Sequence, residues 1–241
     1  LSREGINIFG VHLDRKATLP NAEKIQENVR ANGTEAIFFN VNAADHDIRA
    51  DLIQKMKDHL GDSATGGVQI LLHSLAFGTL KPYITNDPSD AIAPKQMEMT
   101  LDVMANSLVY WTQALILSGL MGRGGRIYAM TSSGGHRIWP SYGAVSAAKA
   151  ALESHIRQLA FELAPNGITA NSIQAGVTDP AALRKIPGNI QMIEKAREVN
   201  PHHESTTPEA VADAIASFAT GGTQWMTGNV IRVDGGEDIT G

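Results

Sequence analysis

The sequence predicts an α/β fold: a doubly wound parallel sheet in one domain spanning residues 1–241. Three observations carry this. Short β-rich runs alternate with stretches of helical periodicity along the whole chain. Helix-stop and helix-start signals fall at the junctions between them. The composition, 241 residues with 43% hydrophobic and 19% charged, suits one sizeable buried core.

Residues 1–5 (Leu-Ser-Arg-Glu-Gly) read as the tail of a helix closed by glycine. Strands are expected at 6–11, 36–41, 68–73, 125–130, 167–173 and 229–233, with helices at 22–31, 47–60, 95–121, 146–163 and 209–219 between them. Pro165-Asn166-Gly167 stops a long helix just before a strand, and Thr207-Pro208-Glu209 supplies an N-cap with proline at the first helical position. Residues 176–203 carry three prolines and a weak pattern. That is long for a simple connection, so 181–203 is read as a substrate lid. Right-handed crossovers place the ligand site beyond the carboxyl ends of the strands.

Composition excludes several function classes. There is no cysteine, so disulfides, thiolate catalysis and cysteine–zinc sites are ruled out. The net charge of −5 gives no electrostatic reason to expect nucleic acid or an anionic membrane as partner. No apolar run reaches the roughly 18–20 residues of a spanning helix, and the start does not read as a signal peptide. A cytoplasmic protein is expected. His202-His203 lacks the further ligand spacing of a metal site, and no metal is expected.

Tyr142 and Lys149 are the main chemical signal. A spacing of seven is about two helical turns, which puts both side chains on one face roughly 10 Å apart along the axis. A tyrosine can donate to a carbonyl oxygen that gains negative charge. A nearby ammonium favours the phenolate and would lower the tyrosine pKa. The bland alternative is an ordinary helix with an exposed lysine. Context strengthens the pair. It follows the turn Thr131-Ser132-Ser133-Gly134-Gly135. It precedes an alanine-rich helix, then Asn171-Ser-Ile-Gln-Ala-Gly176, then Thr227-Gly228-Asn-Val-Ile-Arg-Val-Asp234-Gly235-Gly236.

In this order the motifs resemble the short-chain dehydrogenase/reductase family over the entire chain, which implies a Rossmann-type sheet and a nicotinamide cofactor. The departures resemble one subfamily. The common family pattern has tyrosine four residues before the lysine, here Val145; the earlier Tyr142 is similar to enoyl-acyl-carrier-protein reductases. His73-Ser74-Leu75-Ala76-Phe77 stands where the family commonly has Asn-Asn-Ala-Gly, and Met104 where it keeps a catalytic asparagine. Both also resemble enoyl reductases. Ser132 occupies the place of that subfamily's second tyrosine; it either assists Tyr142 or caps a turn. The phosphate-contacting threonine is replaced near Pro180, with Thr178 two residues before it.

The resemblance implies reduction of the 2,3 double bond of an enoyl thioester in fatty acid synthesis, with the acyl group on an acyl carrier protein. Tyr142, Lys149 and Ser132 would be catalytic. A carbonyl or 3-ketoacyl reductase of the same fold is the first alternative, and a non-catalytic NADP-binding sensor the second. At the cofactor edge the usual acid position falls on His12. Arg15 and Lys16 would then hold a 2′-phosphate, so NADP(H) is favoured and NAD(H) is possible. Asn42 and Ala43 would contact the adenine. Ser74, Leu75 and Ala76 would line the cofactor through their backbone, Lys149 would donate to its ribose, Gly176 would let the backbone approach the nicotinamide closely, and Thr178 would contact the carboxamide. The family's glycine-rich pyrophosphate turn is missing near the start, so a first β-α unit of roughly 25–30 residues is expected to be absent from this stretch of sequence. A homotetramer is expected, with Ala144, Ala147, Ala148, Ala150 and Ala151 forming a small-residue surface for helix contact.

Overall fold

The computed structural model describes residues 1–178 and 189–240. The chain opens with a short 3-10 turn, Ser2–Glu4, ended by Gly5 in the left-handed region at φ 78°, as the glycine signal predicts. Six strands follow among the described residues: β1 (Ile8–His12), β2 (Ala36–Asn40), β3 (Ile70–His73), β4 (Arg126–Ser132), β5 (Thr169–Ala175) and β6 (Val230–Val233). Every strand pairing is parallel. The helices are α1 (Leu19–Ala31), α2 (His46–Leu60), α3 (Pro94–Leu101), α4 (Ser107–Leu117), α5 (Gly143–Leu163), α6 (Asn189–Val199), α7 (Pro208–Thr220) and α8 (Glu237–Thr240).

The strands form two sheets, β1-β2 and β3-β4-β5-β6. No strand lies between β1 and β3 among the described residues. This shows in burial. β1 has no fully buried residue, whereas β4 and β5, each flanked by two partners, are almost entirely buried.

Alternation along β4 places helices on both faces. Ile127 and Ala129 join a core built from Leu52 and Met56 of α2, Leu108, Trp111 and Leu115 of α4, and Leu152 and Ile156 of α5. Tyr128 and Met130 face the other way, with Ile173, Val211 and Ile215, so that α7 covers this second face. The first core also takes in Phe9, Val11, Phe39 and Val41, tying the small sheet to the large one through the same helices.

The structure refines several expectations. Residues 94–117 are not one regular helix: a π-helical turn at Asp102–Asn106 separates α3 from α4. α6 occupies 189–199, where the sequence pattern is weak. The rest of the expected lid divides: 181–188 lies outside the described residues, as does Pro180, and 200–203 forms a turn. The small-residue surface on α5 is not a single face. Ala144 and Ala148 are fully buried in the core, while Ala150 is exposed and Ala147 and Ala151 are half-buried. Trp111 is core: its indole Nε1–H donates to the Ala43 carbonyl at 2.8 Å. Among the described residues no helix is long and apolar enough to cross a membrane.

Candidate active site

The carboxyl ends of β3, β4 and β5 open into one cavity of about 640 Å³. Parallel strands put their carboxyl ends on one edge, and the connections leaving that edge build the walls. The lining includes Ser74, Ala76, Ser132, Tyr142, Lys149, Gly176 and Thr178, all expected from the sequence, together with Phe77, Met104, Ile138, Trp139, Val145, Met192 and Val199. The π turn contributes Met104, which is buried. Such turns recur at functional sites.

Tyr142 is the N-cap residue of α5, and Lys149 lies two turns along the same helix. Ser141, just before it, has φ 61°, a left-handed conformation that turns the chain sharply into the helix. Lys149 is buried, and its Nζ donates to the Met130 carbonyl of β4 at 2.6 Å. Burial lowers the ammonium to about 8, against an opposing pull from the Glu153 carboxylate. The expectation that Lys149 lowers the Tyr142 pKa is not met. Burial pushes the phenol up, and it is the Ser132 hydroxyl that pulls it back. The reason is geometric: the lysine is engaged with the β4 backbone, and the phenolate would be desolvated.

Ser132 precedes the 3-10 turn Ser133–Gly135 but makes no capping hydrogen bond through its side chain. The turn-capping reading therefore fails. Its Oγ is buried and has no hydrogen-bond partner of good geometry, and it sits beside the Tyr142 ring. A Cβ placed on Gly134 would stand 2.5 Å from Tyr142 Cε1 and 3.2 Å from Ser132 Oγ. A hydroxyl in the cavity wall, close enough to the phenol to lower its pKa, can address the same bound polar group.

At the end of β3, His73 is buried and its Nε2 pairs with Ser107 Oγ at 2.8 Å, while Ser107 donates onward to the Val103 carbonyl. Burial and the nearby Lys149 charge lower the His73 pKa to about 4, so it is the neutral imidazole that anchors β3 to α4. Leu75, expected to meet the cofactor through its backbone, packs its side chain against the core.

The other expected cofactor contacts lie at the carboxyl ends of β1 and β2 and do not line this cavity. His12 ends β1 and its Nδ1 pairs with Asp14 at 2.8 Å. Asn40 clasps Asp14 from β2, accepting its backbone N–H and donating to its carbonyl. Arg15 and Lys16 follow in an exposed turn. Asn42 folds its side-chain oxygen back onto the Ala44 N–H.

Sequence reasoning missed a group at the far wall. The Asp238 carboxylate, only 2% exposed, receives His136, Arg137 Nε at 2.6 Å, Gln174 and Arg232. Its neighbour Glu237 lines the cavity and accepts the Val177 N–H at 2.9 Å; burial raises its pKa. His136 and Arg137 lie 102 and 101 residues from Asp238 in the chain, and Gln174 lies 64 away, so no local pattern announces the cluster. In the loop before Tyr142, Trp139 lines the cavity and His136 bonds Asp238.

The residues fit a nicotinamide group. Gly176 lines the cavity, and a Cβ there would come within 2.2 Å of Thr206 Oγ1 and 2.9 Å of Glu237 Oε2, so only glycine fits between them. The buried phenol, ammonium and unpartnered hydroxyl supply the polar contacts beside it.

Comparison with known proteins agrees with this geometry. The sequence model of the family described as "Enoyl-(Acyl carrier protein) reductase" matches residues 1–237. An NADH-named enoyl-[acyl-carrier-protein] reductase of Aquifex aeolicus (strain VF5) is 29% identical over 233 residues, covering 96% of this chain and 83% of that protein. One from Synechocystis sp. is 33% identical over 176 residues, covering 73% of this chain and 67% of that protein. The crystal structure of the Aquifex aeolicus enzyme superposes with a TM-score of 0.82 at 26% identity, covering 100% of this chain and 89% of that one. The chain belongs to the enoyl-(acyl carrier protein) reductase family of the short-chain dehydrogenases/reductases.

Proposed function

We propose that this protein reduces the 2,3 double bond of an enoyl thioester with NAD(P)H, as a step in fatty acid synthesis. The observation that carries the reading is the shared cavity of Tyr142 and Lys149, spaced seven apart on α5, whose remaining walls are mostly apolar. Phe77 and Ile138 line it while staying 64% and 96% exposed. An open apolar rim of this kind suits an acyl chain entering from solvent.

The nicotinamide, when bound, supplies the hydride. Lys149, Gly176 and Thr178 would hold it, with Ser74 and Ala76 along its edge. Tyr142, kept protonated by burial, donates a hydrogen bond to the thioester oxygen as negative charge builds there. Lys149 holds the cofactor ribose. α6 acts with 200–203 as a lid that shields the acyl chain from water. The acyl group is carried on an acyl carrier protein, the site of action is the cytoplasm, and the working form is a homotetramer.

The cofactor preference is read from the end of β1. His12 takes the usual acid position, and Asp14 is already engaged by His12 and Thr18, which leaves Arg15 and Lys16 free to meet a 2′-phosphate. NADPH is therefore preferred. Replacing both by alanine is expected to raise the KM for NADPH at least tenfold while leaving that for NADH little changed; equal effects on the two would overturn the assignment.

The unpartnered Ser132 hydroxyl beside Tyr142 favours a second reading, a 3-ketoacyl reductase with two donors on one carbonyl. An assay of nicotinamide absorbance on the purified protein, offering an enoyl and a 3-ketoacyl thioester with each cofactor, separates them. Oxidation with the enoyl thioester alone is expected. Oxidation with the keto substrate alone would transfer the protein to the carbonyl reductases.

A further inference from the structure

The last three residues of β4 each address one functional side chain of α5. The Met130 carbonyl accepts from Lys149 Nζ at 2.6 Å. Thr131 Oγ1 donates to Glu153 Oε1 at 2.7 Å. Ser132 lies beside Tyr142. Glu153 is one helical turn beyond Lys149, on the same face. Thr131 is buried, and Glu153 reaches into the same half-closed space: a Cβ on Gly135 would stand 3.3 Å from its Oε1 and 3.5 Å from Lys149 Cβ. Two of these three contacts concern groups with an obvious chemical task; the third holds a carboxylate in place beside a buried ammonium.

We propose that Glu153 is a positioning residue, anchored by Thr131, whose negative charge keeps Lys149 in its ammonium form at the end of β4. This rests on the reading of Lys149 as the group that holds the cofactor ribose. The charge balance makes the need plain. Lys149 is desolvated by burial, which favours loss of its proton. The His73 imidazole, facing it from the end of β3, is neutral and gives no compensation. Tyr142 at the start of α5 is held protonated. Arg137 and Lys195, on the cavity walls, add positive charge, and Glu237 lies on the far wall beside Val177. α3 and the π turn carry Glu98 and Asp102, and β4 and β5 bring no charged side chain to this end. Glu153, one turn beyond Lys149 and fixed by Thr131 at 2.7 Å, is the carboxylate that the end of β4 holds beside that ammonium.

The test is the pH profile of kcat for E153Q, which keeps the shape and the acceptor for Thr131 but removes the charge. Loss of a nearby opposite charge lowers an ammonium pKa by about one unit or more. The alkaline limb is therefore expected to move down by about that much, cutting the rate about fivefold at pH 8 and leaving it unchanged below about pH 6. E153D is expected to restore the limb. A uniform loss at every pH, or an unchanged profile, overturns the proposal, because a purely structural role would not depend on Lys149 ionisation. Should E153Q fold poorly, T131V provides the same readout: freeing the carboxylate from its anchor shifts the limb in the same direction by less, and no shift overturns the proposal. A K149M control separates this from the wider reading. Full turnover in K149M sinks the role of Lys149 itself; loss of turnover in K149M with an unshifted E153Q profile sinks only that of Glu153.

Discussion

At Tyr142 the physical chemistry of a single hydroxyl sets the reaction that the site supports. Burial disfavours the phenolate, so at neutral pH the group is a donor, which is what an oxygen gaining negative charge requires. Tyr142→Phe removes that donor and little else. It is expected to lower kcat by about 10²–10⁴-fold, the range for a positioned acid, with the KM for the cofactor nearly unchanged, as steady-state nicotinamide kinetics would show. Lys149 couples activity and stability in opposite senses. Its folded-state pKa of about 8 lies below the ordinary lysine value of 10.5. Below about pH 8 the working ammonium is present, and activity falls as pH rises through that value. Stability runs the other way: between about 8 and 10.5 the unfolded chain binds the extra proton, so stability rises with pH across that window. The buried charge therefore costs stability at neutral pH. K149M is expected to melt no lower than the parent at pH 7 while losing turnover. A clearly lower melting temperature would show that the bond to Met130 outweighs the desolvation.

The elements explain which parts of this site could be read in advance. Strands β1 to β6 all fall on the expected β-rich runs, with ends shifted by at most two residues. Thr207 caps α7 as its motif predicts, accepting the Ala210 N–H at 3.2 Å. Tyr142, Lys149, Ser132, Gly176 and Thr178 converge because each follows or lies near a strand end, and strand ends share one edge. What stayed hidden has a different origin. The π turn arises from packing, not propensity. The Asp238 cluster joins the loop after β4, the end of β5, β6 and α8, contacts that exist only once the chain is folded. The cap of α2 illustrates the local side of this divide. Asp45 accepts the N–H groups of Asp47 and Ile48 at 2.9 and 3.0 Å, satisfying two donors that the helix leaves open. Asp45→Ala is expected to cost about 1 kcal/mol, read as a lower denaturant midpoint with an unchanged slope, and to leave the kinetic constants alone because Asp45 lies outside the active cavity.

For the whole molecule, the question is what covers the outer ends of α4 and α5. Both helices turn one face into the core, yet Leu117 at the end of α4 is 86% exposed and Phe161 near the end of α5 is 79% exposed. Burying a side chain of either kind is worth about 1.5–3 kcal/mol, and a twofold contact counts each residue twice. A second copy of the same chain is the partner that the proposed tetramer supplies. The contact cannot rest on the alanines of α5 as a continuous stripe, since Ala144 and Ala148 are already buried in the core; the large exposed side chains must carry it. The double variant L117E/F161E places four like charges across each such interface. Light scattering after gel filtration is expected to report four copies for the parent and a smaller assembly for the variant, with the variant losing activity through dissociation more than through folding. A parent that elutes as one copy would remove the tetramer from the proposed function. A variant that stays tetrameric would move the interface to another face of the molecule.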